Sequence, residues 1–150
     1  MLCFAAIAMV GVQAATETVN GVTWTYFVEL GRATVGGSGP YPSTAVSTSI
    51  SGAITIPETL GGYPVECIGY NAFYGCAKLT SVKIPNRVWG FGDRAFKGCK
   101  GLADSDGFVI VNGNLYDYFG ENKNVIIPMM IITRLDYVLK DRKRELLGEI

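Results

Sequence analysis

Residues 68–79 of this 150-residue chain read IGYNAFYGCAKL, and residues 91–102 read FGDRAFKGCKGL. Position 68 corresponds to position 91, and every later position pairs with its counterpart at the same offset. The matched positions are apolar or glycine, whereas the others vary among tyrosine, asparagine and charged residues. Self-similarity at a fixed period of roughly 20–50 residues is the sequence signature of repeat proteins. The pattern therefore predicts stacked coils whose matched side chains face inward.

A short strand is predicted between the two segments. In residues 79–85, LTSVKIP, Val82 and Ile84 alternate with polar residues at the period of a half-buried strand. Similar stretches end in Ile-Pro at Pro57 and Pro128, so we expect three parallel rungs. The apolar positions of the coils form the predicted core, which comprises Ile68, Phe73, Cys76, Leu79, Val82, Ile84, Phe91, Phe96, Cys99 and Leu102.

The spacing of the rungs predicts two insertions into the repeat. The interval from Pro57 to Pro85 is longer than one repeat by five positions, and the interval from Pro85 to Pro128 is longer by twenty. The first excess falls in residues 61–65, which are rich in turn formers. The second contains Asn112-Gly113 between two apolar stretches, 108–111 and 114–118, which predicts an inserted β-hairpin near residues 105–120.

Local patterns complete the expected architecture. Within each coil, Ala-Phe-x-Gly-Cys predicts one helical turn that ends at Gly75 or Gly98 in the left-handed conformation. Residues 22–29 alternate at the period of a strand, so residues 15–50 are predicted to form an N-terminal β cap. In residues 133–150, apolar residues at three- and four-residue steps oppose a basic face, which favours an amphipathic C-terminal helix.

These residues resemble the BspA-like leucine-rich repeat, whose unit reads roughly Leu-x-x-Val-x-Ile-Pro, Val-x-x-Ile-Gly and Ala-Phe-x-x-Cys. The resemblance covers about residues 51–128, and residues 107–116 resemble an insertion found among such proteins. It implies a mainly β, right-handed solenoid without catalytic residues. Proteins of this family are commonly exported or displayed by bacteria, and some take part in adhesion. The resemblance therefore implies recognition of an unidentified extracellular protein or glycan.

The chain ends suggest a four-part organisation. Residues 2–12 form an apolar run followed by Val12-Gln13-Ala14, which predicts a signal peptide at 1–14 and a secreted or cell-surface protein. The run is shorter than the roughly 20 residues that a membrane-spanning helix needs. The cap (15–50) and the solenoid (51–128) would follow. In the tail, 129–150, the repeat stops within one coil, so the tail is either a helical cap or a foreign end of a truncated or frame-shifted gene.

Composition argues against several classes of function. There is no histidine, which removes the commonest general base and zinc ligand. Thirteen basic residues balance thirteen acidic ones, so no net charge favours nucleic acid. No catalytic, cofactor-binding or metal-binding residues are predicted. Carboxylates that could serve a hydrolase are scattered and predicted to be solvated: Glu58, Glu66, Asp93 and Asp117.

Recognition residues are predicted on two surfaces. Thr55, Ser81 and Lys83 would project side by side from the strands, away from the core. Tyr70 and Tyr74, with Tyr63 and Trp89, occupy variable positions; they either form a binding patch on the loop side or pack against adjacent coils. The stacked Cys76 and Cys99 are expected to remain buried thiols, with a disulfide as the alternative.

Three functions follow, in order of preference. The first is a non-enzymatic adhesion module that binds protein or glycan. The second is a structural spacer or a truncated fragment of a larger surface repeat protein. The third is an extracellular hydrolase, which is supported only by the scattered carboxylates.

Overall fold

The computed structural model describes residues 14–37 and 43–121, which are mainly β. Among these residues the single helical element is a three-residue 3₁₀ turn, Lys100–Leu102. The predicted signal peptide, the third Ile-Pro strand and the C-terminal helix lie outside the described residues. The described ranges contain ten strands: β1 Ala15–Val19, β2 Val22–Glu29, β3 Arg32–Val35, β4 Ser51–Thr55, β5 Thr59–Leu60, β6 Tyr63–Ile68, β7 Lys78–Lys83, β8 Gly90–Phe91, β9 Phe108–Val111 and β10 Asn114–Tyr118.

An antiparallel meander, β1–β2–β3, begins the fold where the N-terminal β cap is predicted. Its turns are the pairs Asn20-Gly21 and Leu30-Gly31, whose four residues all have positive φ. A two-residue turn in which both residues have positive φ has a backbone twist that matches the right-handed twist of the flanking strands, so it forms a tight hairpin. Strand β3 then pairs in parallel with β6, so the meander extends a sheet of the repeat coils.

The coils contribute strands to two different sheets. Strands β4 and β7, which carry the Ile-Pro pattern, pair in parallel with Ile54 opposite Val82, as predicted for neighbouring rungs. A second parallel pair, β6 and β8, places Ile68 opposite Phe91 in the larger sheet, although the sequence pattern predicted no strand there. The largest sheet has six strands, three of them from the meander. The structure is therefore not the plain stack of rungs that the repeat predicts.

The segments after β6 and β8 are consecutive tight turns, so the predicted helical turn is wrong. Tyr74 N–H donates to the Asn71 carbonyl (3.0 Å), and Cys76 N–H to the Phe73 carbonyl (3.1 Å), which are bonds across three residues. Asn71 has a φ of 57°, as does Arg94 in the next coil. The N–H groups that alternate with these donors, on Phe73 and Gly75, donate to the next coil instead, so no continuous helical ladder forms. The left-handed glycine that ends each turn is confirmed, at Gly75 and Gly98.

Backbone hydrogen bonds join the two turn segments along the stack. N–H groups of the first coil donate to carbonyls of the second: Asn71 to Asp93 (3.2 Å), Phe73 to Ala95 (2.7 Å) and Gly75 to Lys97 (2.8 Å). These bonds satisfy main-chain groups that would otherwise be buried without partners. Residues at equivalent positions of the two sequence segments therefore lie in turns that stack directly on each other.

The core lies between the strands and these turns. Six of the predicted core side chains are at most 1% exposed: Ile68, Phe73, Cys76, Leu79, Phe96 and Cys99. The other four, Val82, Ile84, Phe91 and Leu102, are partly buried and pack against this cluster. Large buried side chains also come from the meander, where Trp24 is 1% exposed.

The predicted hairpin is present as β9 and β10, which pair antiparallel around Asn112-Gly113. It closes the exposed end of the turn stack. Tyr116 of β10 packs edge-on against Phe96, with the ring centroids 5.0 Å apart. Asp117 is buried, which corrects the prediction of a solvated carboxylate: its Oδ2 accepts the Gly98 N–H (2.9 Å) and its Oδ1 accepts the Tyr118 N–H (2.9 Å).

Candidate recognition surfaces

The first predicted surface is formed by the outer face of β4 and β7. Thr55 lies directly opposite Lys83 in the parallel register, and Ser81 lies opposite Ala53. All four side chains are exposed. The structure therefore brings Thr55, Ser81 and Lys83 together on one exposed, polar face, which we call the strand face.

An open depression of about 570 Å³ borders the strand face at the ends of β4 and β7. Thr55 and Lys83 line it together with Glu17 and Glu58. Glu17 is held in place because its Oε2 accepts the Gly61 N–H at 2.7 Å. The depression offers carboxylate, ammonium and hydroxyl groups, but its lining contains no aromatic ring.

The other two candidates, Tyr70 and Tyr74, lie in the turn segment after β6. Tyr70 is partly buried and its backbone bridges to Gly37, whereas Tyr74 is 44% exposed. This segment is at the opposite end of β7 from Lys83, so the five candidate residues do not form one continuous surface. The role of all five in binding stays a prediction.

Three of the four variable-position aromatic residues are exposed rather than packed between coils. Tyr63 is 43% exposed, Tyr74 is 44% exposed and Trp89 is 66% exposed. The packing interpretation of the sequence therefore fails for these three and holds in part for Tyr70. Trp89 has the largest exposed fraction of any aromatic side chain among residues 14–37 and 43–121.

Trp89 is held by groups from the two neighbouring strands. Its backbone N–H donates to the Glu66 carbonyl (3.1 Å), and its indole Nε1 donates to Glu66 Oε2 (3.4 Å). The Arg32 guanidinium carbon lies 5.7 Å from the centre of the ring, within the range of a cation–π contact. In the sequence Trp89 is one of four aromatics at variable positions and does not stand out, because Arg32 lies far from the repeat.

The cysteines at matched repeat positions are buried, free thiols. Cys99 Sγ donates to the Phe73 carbonyl at 3.0 Å. Burial raises the pKa of Cys99 to about 12, and the neighbouring Cys76 adds to the effect. Burial also raises the pKa of Cys76 and of the partly buried Cys67. The structure thus has the stacked-thiol arrangement and not the disulfide.

Three of the acidic side chains, Asp104, Glu66 and Asp117, accept hydrogen bonds that hold neighbouring groups in place. Asp104 Oδ1 accepts the N–H groups of Asp106 (3.0 Å) and Phe108 (2.9 Å), which makes it a turn-forming residue before β9. Glu66 holds Trp89, and Asp117 holds Gly98. In the part of the chain that the structure describes, no three His, Cys, Asp or Glu side chains are grouped to hold a metal ion.

Comparison with known proteins defines the class. A family profile described as "BspA type Leucine rich repeat region (6 copies)" matches residues 47–134, so the coils are leucine-rich repeats. The chain belongs to the BspA-type leucine-rich repeat family. Repeats of this family suggest a role in protein interaction or adhesion. Among curated proteins, no sequence matches the chain.

One solved structure with sequence similarity is a leucine-rich repeat protein of T. pallidum. It is 27% identical over 53% of this chain, with a TM-score of 0.45, and the match covers 34% of that protein. This chain therefore matches about a third of the length of that relative.

Within residues 14–37 and 43–121, no helix is long and apolar enough to cross a bilayer.

Proposed function

We propose that this chain is an exported, non-enzymatic recognition module that binds an extracellular protein or glycan at the bacterial surface. The observation that carries the proposal is the strand face, on which Thr55 and Lys83 from successive coils stand side by side. Repeat proteins present extended surfaces of this kind, built from equivalent positions of stacked units. The apolar run at residues 2–12 supports export.

The repeat supplies position rather than chemistry in this proposal. Stacked coils hold exposed side chains at a fixed spacing of about 5 Å between neighbouring strands, so a ligand meets them without reorganising the protein. The buried Asp117 accepts two backbone N–H groups and is committed to the fold. We further propose that the coils continue as a right-handed solenoid and that residues 15–50, 51–128 and 129–150 are its cap, repeat body and tail.

A binding array tests the proposal. The chain without residues 1–14 would be applied to immobilised extracellular-matrix proteins and glycans, beside Lys83→Ala and Tyr74→Ala. Saturable binding that weakens in either variant supports recognition by the predicted surfaces. A folded, monomeric chain that binds no member of the array contradicts recognition and favours a structural spacer.

A further inference from the structure

The outer face of the sheet formed by β3, β6 and β8 carries a rigid, exposed aromatic ring. Glu66 contacts Trp89 twice, by a backbone hydrogen bond of 3.1 Å and by a longer bond of 3.4 Å from the indole to its carboxylate. The residue is nevertheless 66% exposed, although burial of a tryptophan side chain is strongly favourable. A ring that is both held in place and open to solvent loses little conformational entropy when a ligand covers it.

Charged groups on the neighbouring strands surround this ring. Arg32, the first residue of β3, covers one ring face, and Glu66 of β6 lies at the indole nitrogen. Trp89 remains 66% exposed with Arg32 in place, so we infer that the opposite ring face is accessible to a ligand. The Glu66 carboxylate, at the indole nitrogen, can accept further hydrogen bonds. We call Arg32, Glu66 and Trp89 the tryptophan platform.

The size of the platform favours a small ring as its ligand. A stable protein interface needs about 800 Å² from each partner, with an apolar centre and a polar rim. A tryptophan supplies only about 150–250 Å², and the positions next to it on β3, β6 and β8 are Arg32, Glu66 and Gly90. One apolar face with a carboxylate at its edge matches a sugar ring, which has apolar C–H faces and hydroxyls around its edge.

We propose that the tryptophan platform binds a saccharide, with a pyranose ring stacked on the open face of Trp89 and its hydroxyls bonded to Glu66, while Arg32 holds the opposite face of the indole. This inference rests on the proposed recognition function and assigns it a ligand class and a site. The site lies on a different sheet from Thr55, Ser81 and Lys83, so the two surfaces can be tested separately.

Fluorescence offers a direct test because the chain has two tryptophans in contrasting environments. Trp24 is 1% exposed, so acrylamide quenches chiefly Trp89. The full chain would be titrated with soluble oligosaccharides of N-acetylglucosamine, galactose and glucose, and with mucin glycans. Binding should shield Trp89 from acrylamide. Isothermal titration calorimetry, which does not depend on Trp89 fluorescence, compares the variants: Trp89→Ala should weaken binding at least about tenfold, and Glu66→Gln and Arg32→Ala about threefold to tenfold.

Two further variants serve as comparisons. Leu30→Ala, which removes an apolar side chain that is 84% exposed, should leave saccharide affinity unchanged. Trp89→Phe retains a smaller stacking surface and should recover part of the affinity lost in Trp89→Ala. Thermal unfolding of each variant establishes whether the fold is intact, which is expected for the exposed Trp89 and Leu30 and is checked for the partly buried Arg32 and Glu66.

The outcomes separate this inference from the proposed function. Saccharide binding that is lost in Trp89→Ala and retained in Leu30→Ala supports both. Saccharide binding that survives Trp89→Ala but is lost in Lys83→Ala or Tyr74→Ala overturns the platform and leaves the recognition function standing. If only protein ligands bind, the saccharide assignment is overturned, whatever Trp89→Ala does. If the folded chain binds neither class, both proposals are overturned.

Discussion

The rings of Phe73 and Phe96 lie face to face, with their centroids 5.0 Å apart and their planes 9° apart. These residues occupy the same position in successive coils, so their separation is the spacing between neighbouring strands. The pair is closed on both sides by edge-on rings, Trp24 at 6.3 Å from Phe73 and Tyr116 at 5.0 Å from Phe96. The four rings form one aromatic column through the core.

Truncation of the column should be costly. Phe96→Ala is expected to lower the free energy of unfolding by about 3–5 kcal/mol, because it leaves a cavity between neighbouring rings of the column. Lys83→Ala, at an exposed strand position, should change it by no more than about 0.5 kcal/mol. Urea denaturation followed by circular dichroism measures both. Equal losses in the two variants would contradict the repeat register.

The carboxylate that closes the turn stack should also matter. Asp117→Ala leaves the Gly98 N–H without its partner and is expected to destabilise the fold by about 2–3 kcal/mol. Asp117→Asn should cost less, since the amide oxygen can still accept one bond. Asp106→Ala is the control because its side chain is exposed. Chemical denaturation in which Asp117→Ala costs no more than Asp106→Ala would refute this role.

Close stacking of the coils predicts different costs for two glycines. A Cβ on Gly92 would lie 2.5 Å from the Gly69 carbonyl carbon, so Gly92→Ala should cost about 3 kcal/mol or more because backbone would have to move. Gly62 has a φ of 80° and open space around it, so Gly62→Ala should cost only about 1–2 kcal/mol of backbone strain. Thermal melting compares them. A milder effect at Gly92 would mean that the coils are further apart.

Alkaline pH should weaken the fold through Cys99. In the folded chain its pKa is about 12, against 9.0 for an exposed thiol. Above pH 9 the unfolded chain releases this proton while the folded chain keeps it, so the free energy of unfolding falls as pH rises from 9 toward 12, by up to about 1.4 kcal/mol per pH unit. Cys99→Ala should flatten the curve, and identical pH profiles for the two proteins would exclude the effect.

Features that depend on the repeat itself could be predicted from the sequence. The positions of Phe73, Phe96, Cys76 and Cys99 follow from a fixed period and an apolar pattern, since equivalent residues must stack. The hairpin followed from Asn112-Gly113, because that pair has a strong local preference. The left-handed conformation of Gly75 and Gly98 could likewise be predicted from the Ala-Phe-x-Gly-Cys pattern. All of these are fixed by local or periodic information.

Features that depend on contacts distant in sequence could not be predicted. Asp117 was expected in solvent because nothing near it in the chain indicates that its carboxylate meets Gly98, 19 residues earlier. Trp89 did not stand out because Arg32 comes from the meander, which has no repeat register. The turns after β6 and β8 were expected to be helical because nothing in the local sequence shows that the Phe73 and Gly75 N–H groups donate to the next coil.

The hydrogen bond from Gly98 to Asp117 determines where an additional repeat unit could be inserted into the fold. In the first coil the equivalent N–H, on Gly75, donates to the next coil at Lys97, whereas in the second coil the hairpin has taken that acceptor's place. An engineered repeat unit placed before Leu79 would therefore find the Gly75 N–H as a donor on one side and the Lys97 carbonyl as an acceptor on the other. The same unit placed after Leu102 would compete with a carboxylate already in position, so a lengthened version of this protein should be extended from within.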